Sequence, residues 1–332
     1  MPPIELWRHA FAFCGEVAPL ARRAEQLGYD GVMVADSQNL NADVWVELAL
    51  AAAATERILL GPGVTNPATR HPAVTASAAA TLQAESGGRA VLGVGRGDSA
   101  LTQLGREPVH VAELELALGA LQGYLSGTEV ELDGAPTRIG WIADSGQPKV
   151  PLAVAATGPH VIEAGARHAE RVDFTVGAEP GRLRWAIETA RAAAAPRSLS
   201  LGAFLNVAVD YDRAAARDLV RGSTAIFARF ATEGAPADGL SEVTRAGIER
   251  LRSSYDDTRH GHADAPHARA LEDEFIDRFA VVGDVASVAA RLREIEALGI
   301  ERVIVVPGSL DADPAMNERT VELIARDVRP LL

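Results

Sequence analysis

Eight short apolar segments alternate with stretches of helical periodicity along this chain, and this alternation restricts the fold more than any other feature. Short apolar runs between turn signals indicate buried strands, and apolar residues at i, i+3, i+4 and i+7 indicate helices. The predicted strands are Pro3–Trp7, Gly31–Val34, Ile58–Gly63, Arg89–Val94, Pro151–Ala155, Val172–Val176, Leu199–Val209 and Arg302–Val306. The predicted helices cover 17–27, 43–54, 72–86, 111–125, 159–169, 212–232, 285–295 and 315–328.

Such alternation implies a parallel sheet with right-handed crossovers. Eight units over 332 residues predict an α/β fold, one (β/α)8 TIM barrel with insertions that occupies 1–332 as a single domain. A hairpin over Glu129–Trp141, turning at Asp133-Gly134, and an insertion over 234–277 interrupt the repeat, and Phe279–Val282 is a short extra strand. A doubly wound sheet is the alternative, although it more often stops at about five or six strands.

Composition excludes several classes of function. The net charge is −13 and Lys149 is the only lysine, whereas a nucleic-acid-binding protein should carry a basic face. Cys14 is the only cysteine, so no internal disulfide can form. The first residues lack the pattern of a signal peptide, and no apolar run reaches the roughly 18 residues of a membrane span. We therefore expect a soluble, cytoplasmic protein that acts on a small molecule, without a membrane or nucleic-acid partner.

The loops after the predicted strands are rich in glycine and in hydrogen-bonding side chains. In a (β/α)8 barrel, these loops carry the chemistry. The third strand runs into GPGVTNPATRHP at 61–72, the fourth into Gly95-Arg96-Gly97-Asp98, and the fifth into Thr157-Gly158-Pro159-His160. A GxGxxG pattern is absent, which argues against a Rossmann dinucleotide site. The sequence thus predicts a ligand site of another kind at this face of the barrel.

Four segments in fixed order carry a resemblance to a known family. They are GVTNP at 63–67, RHPAVTA at 70–76, ATL at 80–82 and SGGRAVLGVGRGD at 86–98. The chain resembles the luciferase-like monooxygenase superfamily, and most of all the branch of methylenetetrahydromethanopterin reductase and related deazaflavin-dependent oxidoreductases. The likeness is strong over 1–125 and looser beyond, through AATGP at 155–159 and RVIVVPGS at 302–309. It implies a barrel that binds coenzyme F420 or FMN, with a non-prolyl cis peptide at the end of the third strand supporting the ring.

This resemblance assigns cofactor contacts to several strand ends, and two interpretations remain open at most of them. Gly63-Val64 would press on the ring, or form an ordinary turn. Arg96 would bind the cofactor phosphate, or pair with Asp98. Thr157–His160 would hold an anion at free helix N–H groups, or simply cap a helix. The full predicted cofactor set is Gly63, Val64, Thr65, Asn66, Arg96, Asp98, Thr157, Gly158, Pro159, His160 and Gly177, the last allowing close approach of the cofactor.

Proton transfer is the role with the weakest sequence signal. Related reductases often have an Asp-His pair after the second strand, but this chain has Asp36-Ser37. The proton-transfer histidine of those reductases therefore has no counterpart at position 37. His9, which follows the first predicted strand, either replaces the missing histidine or caps the barrel. The predicted catalytic residues are His9, Asp36 and Ser37.

The insertion at 234–277 contains His260, His262 and His267, a density that raises the question of a metal. Metal-dependent amidohydrolase barrels place His-x-His after the first strand, and this chain does not. No metal is therefore expected. A mobile solvated loop and a lid over the substrate are the two interpretations, and the lid assigns Tyr255, His260 and His267 to the substrate pocket.

The function predicted from these observations is hydride transfer between coenzyme F420 and a small organic substrate. An FMN-dependent monooxygenase that uses reduced flavin and oxygen is the first alternative, and a barrel that binds a ligand without turnover is the second. The family implies a homodimer. No segment names the substrate.

Overall fold

Eight parallel strands form the centre of the computed structural model, which describes residues 3–132, 134–231 and 238–332 of the chain. Their bounds agree with the predicted strands to within a few residues, except in the first. They are β1 Glu5–Phe11, β2 Gly31–Ala35, β3 Leu59–Pro62, β4 Leu92–Val94, β5 Leu152–Ala156, β6 Arg171–Phe174, β7 Ser200–Val209 and β8 Arg302–Val306.

The sheet closes into a barrel. Its strand order is β3-β2-β1-β8-β7-β6-β5-β4, and all of these pairings are parallel. Parallel bridges between Leu60 and Ala90 and between Thr65 and Val94 join β3 to β4. A Cβ on Gly61 would lie 2.0 Å from the Val91 carbonyl oxygen, so glycine there lets the two backbones approach. The predicted (β/α)8 barrel is confirmed, and the open doubly wound sheet is wrong.

Helices cover the outside of the barrel and follow the predicted positions where the periodicity is strong. Many begin at a side-chain cap or at a proline in the first turn, both of which suit unpaired N–H groups. The helices are α1 Val17–Leu27, α2 Val44–Ala54, α3 Pro72–Glu85, α4 Asp98–Thr102, α5 Val111–Leu125, α6 Gly140–Asp144, α7 Pro159–His168, α8 Pro180–Ala194, α9 Arg213–Phe230, α10 Glu242–Ser254, α11 Pro266–Arg269, α12 Asp273–Phe279, α13 Val285–Ala297 and α14 Pro314–Leu323. Single 3-10 turns cover Asp257–Arg259, between α10 and α11, and Arg329–Leu331, and a π-helical turn covers Ile324–Val328. Among the long helices, α8 and α10 have no counterpart in the prediction.

The first strand is longer than predicted. It runs to Phe11 because Trp7 and His9 alternate into the barrel interior while Arg8 points outward to Glu318, at 3.0 Å. Polar side chains at 8 and 9 suggested a loop, but both are buried in the strand. His9 therefore lies on a strand of the barrel wall rather than on a loop after it.

The insertion is helical rather than polar and irregular. Residues 234–237 lie outside the described part, and 238–277 include α10, α11 and most of α12. Ile248, Leu251 and Phe275 are fully buried in a core shared with α9. Beside this core, the end of β7 pairs in parallel with Val281–Gly283, the predicted extra strand. The predicted hairpin is also present, as Val130–Leu132 paired with Ala135–Thr137, although Asp133 lies outside the described residues.

A buried ion pair closes the N-terminal end of the barrel. Arg302 donates to Asp173 Oδ1 from Nε at 3.0 Å and from Nη2 at 2.6 Å, and Trp7 lies beside them. All three side chains are fully buried. A ligand must therefore enter from the opposite, C-terminal end. In the described ranges, we find no helix long and apolar enough to cross a membrane.

Candidate active site

A cavity of about 530 Å³ opens at the C-terminal ends of the barrel strands. Its walls come from the loops that the sequence singled out, from β1 and β7, and from α9 and the insertion. The predicted site residues that line it are His9, Asp36, Ser37, Gly63, Val64, Arg96, Asp98, Thr157, Gly158, Pro159, His160 and His260. The predicted residues Thr65, Asn66, Gly177, Tyr255 and His267 do not line it.

The end of β3 forms one wall of this cavity. The peptide between Gly63 and Val64 is cis, as expected from the resemblance. The Val64 side chain lies over β4, where a Cβ on Gly95 would come within 2.8 Å of it. Thr65 N–H donates to the Gly93 carbonyl at 3.0 Å, and Gly95 N–H donates to the Thr65 carbonyl at 2.9 Å. This stretch is thus fixed to the neighbouring strand and presents backbone and one methyl-bearing side chain to a ligand.

Thr65 and Asn66 support this wall from behind. Thr65 Oγ1 donates to Asp36 Oδ2 at 2.7 Å. Asn66 Oδ1 accepts the N–H groups of Ala68 and Thr69, at 3.1 and 3.0 Å, and so fixes the turn after β3. Both side chains are buried. These bonds within the protein occupy Thr65 Oγ1 and Asn66 Oδ1, and contact of the two residues with a cofactor stays a prediction.

Asp36 is held by a cation as well as by Thr65. Arg70 Nη1 lies 3.0 Å from Asp36 Oδ2, and Arg70 Nη2 lies 2.5 Å from Asp43, the cap of α2. The Asp36 carboxylate is therefore engaged by a guanidinium and a hydroxyl within the protein. Ser37 lines the cavity beside it, and its carbonyl accepts the N–H groups of Leu40 and Asn41.

Arg96 and the N-terminus of α7 face the same cavity. Arg96 Nε donates to the Val109 carbonyl at 2.7 Å, and its terminal nitrogens have no hydrogen bond within the described chain. The predicted alternative, an ion pair with Asp98, does not form. Burial raises the pKa of Asp98, and the Arg96 charge opposes this. Helix α7 begins after Gly158, and its first N–H groups, those of His160 and Val161, follow Pro159. A guanidinium and a helix N-terminus on one cavity suit a phosphate.

Gly177 has a local reason to be glycine. Its φ is +81°, and an added Cβ would lie 2.7 Å from the Phe279 ring. A left-handed backbone and a close aromatic ring both disfavour a side chain. The expected close approach of a cofactor is not needed to explain this residue.

His9 is a neutral side chain in the cavity wall. Burial lowers its pKa to about 4, and a hydrogen bond between its ring and the Gly63 backbone opposes this. The ring makes edge-on contacts with Phe11 and Phe204, at centroid distances of 5.3 and 6.1 Å. His9 thus connects the Gly63-Val64 wall to an aromatic part of the cavity.

The insertion contributes His260, which is held from behind. Its Nδ1 lies 2.8 Å from the Tyr255 hydroxyl, and its Nε2 lies 3.4 Å from Ser99 Oγ at the cavity surface. Tyr255 packs against His267 with its ring tilted by 31°, at 4.3 Å between centroids. Burial, followed by the Arg229 charge, lowers the pKa of His260 to about 4. Tyr255 and His267 therefore orient His260 rather than line the cavity.

Sequence reasoning missed most of the apolar lining, which is Phe11, Phe13, Phe204, Leu310 and one face of α9. The lining residues Ser223, Ile226, Phe227 and Phe230 fall at i, i+3, i+4 and i+7, on one face of the helix. That spacing was visible in the sequence as a helical stripe. It was not assigned to the site because a helix face of a barrel normally packs on the strands.

Comparisons with known proteins agree with this geometry. The sequence profile of the luciferase-like monooxygenase family matches residues 11–302. The 5,10-methylenetetrahydromethanopterin reductase of Archaeoglobus fulgidus is 30% identical, over 96% of this chain and 96% of the relative. The F420-dependent glucose-6-phosphate dehydrogenase of Beutenbergia cavernae is 36% identical over 43% of this chain and 47% of the relative. The solved coenzyme F420 dependent tetrahydromethanopterin reductase from Methanopyrus kandleri has a TM-score of 0.79 at 24% identity and covers 99% of both chains.

Proposed function

Because this chain belongs to the luciferase-like monooxygenase family, we propose that it is an oxidoreductase that exchanges hydride between coenzyme F420 and a small organic substrate. The main supporting observation is a single cavity that is lined by the segments that resemble the family. The chain that forms it matches a reductase over 96% of its length. The relatives are enzymes, which argues against a barrel that only binds a ligand. Coenzyme F420, when bound, supplies hydride chemistry at the central carbon of a flat ring.

The residues present fit such a cofactor. The free end of Arg96 and the first N–H groups of α7 suit its phosphate, because charge-assisted hydrogen bonds are the strong ones. Gly95 and Gly97 flank Arg96, and an added Cβ at either would lie 2.8 Å from the side chain of Val64 or Asn66, so the loop that carries Arg96 packs closely on the end of β3. The Gly63-Val64 wall offers a backbone surface to a ring. In this proposal, Thr157 and Pro159 complete the phosphate end, and Asp98 lies beside it.

Proton transfer at the substrate is assigned to His9. It lines the cavity, is neutral at ordinary pH and touches the backbone of Gly63. Asp36 is engaged by Arg70 and Thr65, so its role is to hold the loop that carries Ser37. The Ser37 hydroxyl is a hydrogen-bonding group for the substrate. In this assignment, His9 on β1 takes the place of the histidine that is missing at position 37, after the neighbouring strand β2.

The insertion is proposed as the cover of the cavity. His260 and His262 line the cavity from the turn between Asp257–Arg259 and α11, and the neighbouring helices α10 and α11 pack on α9 in an apolar core. A cover built on packed helices needs smaller movements than a loose loop. We also propose, from the sequence alone, a cytoplasmic homodimer. Sedimentation of the purified chain at several concentrations tests the dimer.

The FMN-dependent monooxygenase is the second candidate. The family profile carries that description, and the phosphate and ring contacts suit either cofactor. The reactions differ in one observable, since only the monooxygenase consumes oxygen.

The test is a pair of titrations followed by an oxygen measurement. Purified protein is titrated with oxidised coenzyme F420 and with FMN, and oxygen uptake is then recorded with each reduced cofactor. We expect F420 to bind at least about tenfold more tightly than FMN, a difference of about 1.4 kcal/mol, without substrate-dependent oxygen uptake. Binding of FMN alone, with oxygen uptake, would establish the second candidate. Binding of neither would overturn both.

A further inference from the structure

A row of aromatic rings lines one side of the cavity. Neighbouring ring centroids are 6.2 Å apart from Phe13 to Phe11, 5.3 Å from Phe11 to His9, 6.1 Å from His9 to Phe204 and 6.3 Å from Phe204 to Phe227. We call these five residues the aromatic wall. All five line the cavity, and the row runs from β1 across the barrel to α9. Such a surface favours an apolar or flat partner, because aromatic rings bury large areas and stack.

The face of α9 extends this surface with more apolar groups. Ile226 and Phe230 lie on the same helix face as Phe227, and Leu310 approaches from the loop after β8. Ser223 is the polar member of this face, but its hydroxyl already donates to the Val220 carbonyl and accepts from Asn206. This side of the cavity therefore offers contact area and few unpaired polar groups.

Positive charge near the substrate is nearly absent. Arg96 is the only arginine or lysine among the lining residues that the structure describes. The undescribed residues 232–237 contain no arginine, lysine or histidine in the sequence. Arg229 stands behind the wall, where it pairs with Asp257 and lies 4.4 Å from the Tyr255 ring. Arg96 is already assigned to the cofactor phosphate, so no second cation remains for an anionic substrate.

The histidines do not supply that charge in the interior. His9 and His260 are held neutral by burial, each with a pKa of about 4. His160 is largely exposed, and His262 faces the carboxylates of Asp264 and Asp311 at 3.9 and 3.8 Å. A buried anion without a partner is strongly disfavoured. The cavity thus selects against phosphate and carboxylate groups on the substrate.

We infer that the substrate is an uncharged molecule with an apolar body of about the size of one ring, which lies against the aromatic wall. This inference rests on the proposed function, because Arg96 is free for a substrate anion if no cofactor phosphate occupies it. By this inference the chain differs from its relative named F420-dependent glucose-6-phosphate dehydrogenase. The lining residues that the structure describes offer no second cation for the phosphate of such a substrate.

The test compares two ketones that differ in charge and little else. Protein loaded with oxidised coenzyme F420 is titrated calorimetrically with 4-methylcyclohexanone, with 4-oxocyclohexanecarboxylate and with glucose 6-phosphate. We expect the neutral ketone to bind roughly 100-fold more tightly than the carboxylate, because an unpaired buried charge costs several kcal/mol. Equal or tighter binding of either anion would overturn the inference, and so would failure of the neutral ketone to bind.

Variants test the wall itself. Phe227→Ala should weaken binding of 4-methylcyclohexanone by about tenfold, through loss of buried apolar contact. Phe227→Leu should retain most of the affinity, and it serves as the second variant if the alanine protein does not fold. Leu116→Ala, at an exposed site on α5, should stay within about twofold of the parent protein. An unchanged affinity in Phe227→Ala would overturn the placement of the substrate.

Failure of the proposed function has a different signature. If coenzyme F420 does not bind, the proposed function fails; the Phe227→Ala comparison with 4-methylcyclohexanone on the protein without cofactor still tests the wall, because that ketone is uncharged and does not depend on Arg96. If F420 binds and the carboxylate is preferred, the proposed function stands and this inference fails.

Discussion

Replacing Arg96 by alanine should weaken binding of coenzyme F420 much more than it affects folding. Arg96 lies in the cavity with its Nε bound to the Val109 carbonyl, which fixes the direction of the guanidinium. The terminal nitrogens are left for a ligand. The substitution therefore removes a positioned cation from the phosphate end and one hydrogen bond from the fold.

The two losses differ in size. A hydrogen bond to a charged group contributes about 1.5–3 kcal/mol, so the Kd for coenzyme F420 should rise roughly ten- to hundredfold. The bond from Nε to Val109 also involves the guanidinium, but it is only partly buried and water can replace it on substitution, so we expect the free energy of unfolding to fall by only about 1 kcal/mol. Arg96→Lys should fall between, because it keeps the charge but loses the planar pair of donors.

The assay is titration with coenzyme F420 alongside urea unfolding of the same samples. Arg106→Ala is the matched control, since Arg106 is exposed and lies ten residues further along the chain. Its Kd should stay within about twofold of the parent value, as for other surface substitutions. An unchanged Kd in Arg96→Ala would show that Arg96 does not contact the cofactor. An equal loss in Arg106→Ala would show that the effect is only one of net charge.

Three further predictions concern the fold around the site. Arg302→Met should lower the free energy of unfolding by about 3–5 kcal/mol, because it leaves Asp173 buried without its partner; a loss below about 1 kcal/mol in urea unfolding would contradict this. The folded-state pKa of His9 is about 4, against an ordinary value of 6.5. The stability that neutral His9 contributes is therefore present above pH 6.5 and is lost as the pH falls towards 4, by up to about 3 kcal/mol. His9→Gln should flatten this pH dependence of the free energy of unfolding, and an unaltered slope would refute the assignment. Gly177→Ala should lower the free energy of unfolding by about 1–2 kcal/mol, because φ is positive there and the added Cβ meets the Phe279 ring. The Kd for coenzyme F420 should not change. A raised Kd at unchanged stability would show that Gly177 contacts the cofactor after all.

The elements with strong periodicity were predictable, and those with long-range causes were not. Helix α1 runs from Val17 to Leu27 as predicted, because its apolar stripe and Gly28 mark both its face and its end. By contrast, β1 continues past Trp7, because Arg8 forms an ion pair with Glu318, which is about 310 residues away in the chain. The insertion was predicted to be polar and irregular, since its apolar residues are sparse. They become a core only when α9 packs on them.

The site divides in the same way. The loops that bear Gly63-Val64, Arg96 and Thr157 were predictable, because strand alternation puts every strand end on one face and the residue types there suit an anion and a flat ring. The contacts that the neighbouring side chains make could not be predicted. Asp36 became a partner of Arg70, and Thr65 its support, through contacts that need the folded loop.

By itself, the sequence determined the barrel and the end of it at which the cavity opens. Both follow from local periodicity and from glycine, proline and charged residues at the strand ends, which act over a few neighbouring positions. Only the tertiary structure decided that Phe11, Phe204 and Phe227 form one wall and that Tyr255 holds His260. The aromatic side chains of that wall come from β1, β7 and α9, which are distant in the chain. Their contact depends on barrel closure and on the packing of α9, and no local pattern encodes those distances.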